Sequence, residues 1–228
     1  RYAALEELEE GGDTLRPFHK IPGHPCLFSL YDANPLSGQE GHPEKSGNKI
    51  DLGGKKVEQW IEALEEAFRL IREAIPGWWA ESAIALQRIV PVGYSGDMHL
   101  SASYREALGV AYMSLHPEPL TMAEAIVHET QHSKLNTILW LDPLLENGED
   151  QCASPVRPDQ RPLLGVLLAA HAFVPVAALH LGLSEQGLLE HGSRLFLQRR
   201  RKEVLQSNRL SLDTLEEKAL PTQVGGRI

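Results

Sequence analysis

Between Leu120 and Trp140 the chain carries a helix-length stretch with two histidines four residues apart, His128 and His132, and Glu129 between them. Four residues is just over one helical turn, so both imidazoles leave the same face of a helix. Ala125, Ile126 and Val127 precede them as an apolar run, which places the pair on a helix with a buried face. Two neutral imidazoles a turn apart can grip one divalent cation. The chain has ten histidines, so a pair at this spacing can also arise by accident. Such a pair would be core histidines bonded to backbone carbonyls. The acid between the two histidines argues instead for a metal site.

The rest of the chain is read around that helix. Residues 1–15 predict a short acidic helix, and 16–56 a Pro-, Gly- and His-rich stretch with one strand, Cys26 to Tyr31. Val57, Trp60, Ile61, Leu64, Phe68 and Ile71 recur at three- and four-residue spacing and predict an amphipathic helix from Lys56 to Ile75, stopped by Pro76-Gly77. A second helix is expected over Trp78 to Ile89. Strands are expected at Ile89–Val92, Leu100–Ser103 and Gly109–Leu115. Thr121 with Glu124 three residues on reads as a capping box for the metal helix. Residues 142–162 read as a polar loop and Leu163–Leu181 as an apolar buried helix. Further helices are expected over Ser184–Ser207 and Leu212–Ala219, before a frayed Gly225–Ile228 tail. The result is a mainly α, α+β fold. One domain spans 1–228, with a loop-rich part (1–56) and a helical core (57–228). A helical layer carries the metal, and a few short strands form one wall of the cleft.

The net charge of −9 works against nucleic-acid and anionic-lipid partners. Arg199, Arg200, Arg201 and Lys202 read as a solvated helix face. Cys26 and Cys152 make neither a zinc-finger pattern nor a disulfide framework, and read as free thiols of a reducing cytoplasm. The most apolar run, Leu163 to Leu183, is interrupted by His171, Pro175 and His180, so no membrane span is expected.

The pair needs a third ligand. The extended motif with glycine at 135 and histidine at 138 is excluded, because Leu135 and Ile138 stand there. Glu146 and Glu149 would serve a zinc peptidase but fall in the polar loop. His171, between Ala170 and Ala172 on an apolar helix, is the favoured third ligand; otherwise it is a core histidine satisfied by a carbonyl. With zinc, Glu129 would be the general base on a metal-bound water.

Beyond the metal motif, several stretches occur in a specific order. They are Asp32-Ala33-Asn34-Pro35, Asn48 to Gly53, Trp60, Ile89-Val90-Pro91, Ser101-Ala102-Ser103 with Glu106-Ala107-Leu108-Gly109, His128 to Leu135, Arg157 to Leu163, Gly165, and His171-Ala172-Phe173. In these the chain resembles the HExxH-type peptide-modification proteins found beside ribosomally made peptide natural products. The resemblance implies an iron(II)- and 2-oxoglutarate-dependent oxygenase that uses molecular oxygen to β-hydroxylate a residue of a precursor peptide. His128, His132 and His171 would be its ligands. The co-substrate carboxylate calls for a fixed arginine, with Arg161 first and Arg157 second. Ser101 and Ser103 would line the pocket. Glu129 would then orient the pocket, pair with Arg161 or hold a metal-bound water. A zinc peptidase acting on the same kind of peptide is the alternative enzyme. A peptide-binding module with a structural metal is the non-catalytic one.

Overall fold

A computed structural model describes residues 16–32, 34, 49–153, 160–189 and 191–228, without the His191 side chain. The expected helix over 1–15, residues 33 and 35–48, and all of 154–159 with Arg157 lie outside the described residues.

The fold is α+β and mainly α. Strands β1 (Phe18–Ile21) and β2 (His24–Ser29) form a hairpin. Helices α1 (Val57–Ala74) and α2 (Pro76–Ala85) then lead to β3 (Arg88–Tyr94), which pairs in parallel with β2. Strands β4 (Ser101–Ser103) and β5 (Val110–Leu115) complete a five-stranded sheet of order β1-β2-β3-β5-β4. β5 is parallel to β3, and β4 is antiparallel to β5. After the sheet come α3 (Pro119–Leu139), a small hairpin of β6 (Gln151–Ala153) and β7 (Gln160–Pro162), α4 (Leu163–Gln186) and α5 (His191–Lys218).

The apolar stripe of α1 decides the layering. Trp60, Leu64, Phe68 and Ile71 are buried against Phe28, Ile89, Ala111 and Met113 of the sheet and against Leu120 and Ile126 of α3. The other side of β3 and β5 holds Val90, Val92 and Tyr112 beneath Ile50 and Tyr104. Gly53 stands where this second layer turns. Its φ is +64°, and a Cβ there would run into the Tyr94 backbone. Pro76 closes α1 and opens α2, since proline costs nothing at a first helical position.

Several boundaries correct the sequence reading. α2 ends at Ala85, because Arg88 already belongs to β3. α3 starts at Pro119 with Glu118 as its N-cap, so Thr121 and Glu124 form no capping box. The 142–162 stretch contains β6 and β7, too short to show an alternating pattern. α4 runs on to Gln186, where Gly187 at φ +65° caps it. α5 is one helix, not two. The tail is not frayed: Gly225–Arg227 form a short 3-10 turn, and Thr222 just before it donates to the Leu144 carbonyl at 2.9 Å and, through Oγ1, to Asp142 at 2.6 Å.

By length and composition α4 could cross a membrane. Here it packs against α1, α3 and α5. At Gly182 it comes so close to α1 that a Cβ would strike the Ala74 carbonyl. Both cysteines are free and buried, as expected.

Candidate metal centre

The core fixes the rotation of α3. Leu120, Ala123, Ile126, Val127 and Leu135 are buried, which turns Thr121, Glu124, Ala125 and His128 as one stripe onto a cavity of about 680 Å³. His128 Nε2 lies 2.9 Å from His132 Nε2, with the rings nearly perpendicular at 88°. Burial, then the charges of His132 and Arg200, hold the His128 imidazole well below its ordinary pKa. Burial lowers His132 as well, against the opposing charge of Glu129. Both rings are therefore neutral at neutral pH, the protonation state that binds a metal.

Several polar atoms on α3, α4 and the neighbouring strand region are unpaired. His128 Nδ1, Glu129 Oε2, Ser103 Oγ, His99 Nε2 and His171 Nδ1 are all buried without a hydrogen-bond partner among the described residues. Buried polar groups are normally paired. Of these residues, His99 and His128 line the cavity.

Glu129 is 2% exposed, and its Oε1 accepts from Ser101 Oγ at 2.7 Å. Ser101 and Ser103 therefore stand on the α3 side of β4; Ser101 lines the cavity, and Ser103 is not among its lining residues. The second oxygen of Glu129, Oε2, has no hydrogen-bond partner among the described residues. Glu124 accepts from His180 Nε2 at 2.6 Å and from Arg200 Nε at 3.0 Å. It is thus an acceptor for an imidazole, but for His180 rather than His128. Burial alone would raise the Glu124 carboxyl. The His180 hydrogen bond and the Arg200 charge outweigh it and bring the pKa below its ordinary value.

His171 packs against the 131–134 turn of α3. Burial, then the charges of Lys134 and His132, lower it to about 4, while a hydrogen bond to the Gln131 main chain opposes them. Its Nδ1 faces no partner. Phe173, two residues on, lies against the His128 ring with centroids 4.6 Å apart. Among the described residues no third His, Cys, Asp or Glu is gathered with His128 and His132 into a ligand cluster. Glu146 and Glu149 are exposed.

The cavity contains residues that the sequence did not single out. His99 and His116 stand on its wall, with Met98, Phe173, Val176 and Phe196 as apolar lining. Burial, then His116, lowers His99 to about 4. Arg200 is the lining arginine; Arg161 on β7 is not among the lining residues. The basic run on α5 is therefore not wholly a solvated face. Its Arg200 turns inward to Glu124, and Nη1 reaches the exposed Glu203 at 3.4 Å. His180 could have been found from sequence, because a histidine on so apolar a helix requires a buried partner. No family model and no curated protein sequence matches the chain.

Proposed function

We propose that this chain is a metal-dependent enzyme. Its ion is iron(II), its co-substrate 2-oxoglutarate, and its reaction the β-hydroxylation of a residue in a ribosomally made precursor peptide. The observation that supports the metal is the meeting of two neutral imidazoles through Nε2 at 2.9 Å, one of them, His128, on the wall of a large cavity. The choice of iron and of an oxidative reaction comes from the resemblance of the motif set. Iron(II) with 2-oxoglutarate and oxygen supplies an oxidant able to convert an unactivated C–H bond to C–OH.

The residues divide the remaining work. His128 and His132 would hold the ion, with His171 and its unpartnered Nδ1 as third ligand. Arg200, the arginine on the cavity wall, replaces Arg161 as first choice for the co-substrate carboxylate. Its guanidinium is held by Glu124 from behind, while its second partner, Glu203, is 66% exposed and easily exchanged for a ligand. Phe173 covers one side of His128 and keeps water from it. Ser101 fixes Glu129 so that its free oxygen can accept a hydrogen bond from a group bound in the pocket.

That same free oxygen favours one competing reading, a zinc peptidase with Glu129 as base. The test is anaerobic loading with iron(II) and titration with 2-oxoglutarate, watching for a visible charge-transfer band. The band should appear in the parent and be absent in His128→Ala. No band, together with tight zinc binding and a hydrolytic activity lost in Glu129→Gln, would overturn the oxygenase in favour of the peptidase.

A further inference from the structure

Strand β4 is the outer strand of the sheet, paired on one side with β5 and bare on the other among the described residues. In an antiparallel pair the main-chain groups of successive residues point alternately toward the partner and away from it. The Ser114 N–H donates to the Leu100 carbonyl at 2.8 Å, so position 100 faces β5. With Ala102 opposite Tyr112, position 102 faces β5 as well. Ser101 and Ser103 therefore direct their N–H and C=O groups off the open edge. All three β4 residues are partly exposed.

An open edge is a template for another strand. The location of this one gives it a purpose. Gly96, Asp97, Met98, His99 and Ser101 line the cavity together with His128. The Ser101 hydroxyl is bonded to Glu129 inside the metal motif. Residues opposite one another on neighbouring strands share a face of the sheet. A strand laid on β4 would thus send the side chain opposite Ser101 to the α3 side, where His128 stands.

We propose that β4 receives an extended peptide by strand addition, and that the residue opposite Ser101 is the one presented to the metal centre. This inference rests on the peptide-substrate reading above and adds how the peptide is held. Two outward-facing residues give main-chain recognition that tolerates many sequences. Selectivity falls to the cavity, where Met98, Phe173, Val176 and Phe196 offer an apolar wall.

The experiment uses iron-loaded protein and a probe with its own affinity for metal, a tetra-alanine peptide ending in a hydroxamate, compared with acetohydroxamate. The peptide should bind at least tenfold more tightly. N-methylation should abolish that gain at alternate residues and spare it at the others. Ser103→Pro removes an outward N–H while leaving the β5 ladder intact, and should abolish the gain too. Equal affinity of the two probes, or indifference to N-methylation, overturns the proposal and leaves the metal reading standing. Failure to bind either hydroxamate or metal overturns both. A dimer that Ser103→Pro dissociates would give the edge to a second copy of the chain and also overturn it. The N-methyl series is read on the unaltered protein, so it decides even where Ser103→Pro does not fold.

Discussion

Replacing Glu124 with alanine tests what joins α3 to α4 and α5. Glu124 is 9% exposed and accepts one hydrogen bond from each neighbouring helix, at 2.6 Å from His180 and 3.0 Å from Arg200. The two partners would lose unequally. The His180 side chain is 0% exposed and has no water to turn to. The Arg200 side chain is 34% exposed and can be rehydrated. Breaking a fully buried pair costs about 3–5 kcal/mol; with one partner able to recover, the expected loss is about 3 kcal/mol. For a domain of this size that lowers Tm by about 6–12 °C. Urea unfolding of the four proteins in each double-mutant cycle measures it. Coupling of Glu124 with His180 should be about 2 kcal/mol, and coupling with Arg200 about 1 kcal/mol or less. Because the folded-state pKa of Glu124 is depressed, its contribution is present above the ordinary carboxylate range. It fades as pH falls through the folded value, so parent and variant should converge in acid. A loss below about 1 kcal/mol, or no coupling with His180, would refute the view that this carboxylate ties the three helices.

Two further outcomes follow from the same geometry. Arg200→Ala should weaken 2-oxoglutarate binding to iron-loaded protein about tenfold or more, the scale of a lost charge-assisted hydrogen bond. Arg161→Ala should leave it unchanged; the reverse pattern would restore Arg161 as the anchor. Burial lowers His24 to about 4. Its ring is stacked on Phe68 at 3.8 Å, and its Nδ1 accepts from the Cys26 N–H at 3.1 Å. The unfolded histidine takes up its proton near 6.5 and the folded one only near 4. Stability should therefore fall as pH drops through that window, by up to about 1.4 kcal/mol per unit. Urea midpoints of metal-free protein at pH 7, 5.5 and 4.5 should show a steeper fall for the parent than for His24→Asn. Equal slopes would remove His24 from the explanation.

What was legible in the sequence follows from periodicity and burial. The α1 stripe Val57, Trp60, Leu64, Phe68 and Ile71 is the buried face found in the structure, because an amphipathic helix has only one way to meet a core. β3 and β5 were visible as short apolar runs. β6 and β7 were not, because strands of three residues carry no period. The α5 boundaries were misplaced because its apolar and polar residues lack a clean repeat, and tertiary contact with α4 carries it through. Arg200 shows a different limit. Four consecutive helical residues span about 300° around the axis, so whichever way α5 docks, one of Arg199, Arg200, Arg201 and Lys202 comes close to the core. Sequence could say that one basic residue faces in. Only the docking of α5 says that it is Arg200, and with it Glu124 changes from a helix cap to the centre of a buried network.

The Nε2 atoms of His128 and His132 stand 2.9 Å apart. The helix sets this spacing: residues four apart on one turn hold their Nε2 atoms together, and Phe173 braces the His128 ring from behind. If His128 and His132 hold iron(II), the ion would need further positions for a chelating co-substrate and oxygen, which four-coordinate zinc would not. X-ray absorption on protein loaded with iron(II), then with 2-oxoglutarate, should show five or six nitrogen and oxygen neighbours. The co-substrate should change them and His171→Ala should reduce the imidazole contribution. Zinc with four neighbours as the metal that the protein retains would overturn the oxygenase in favour of the peptidase.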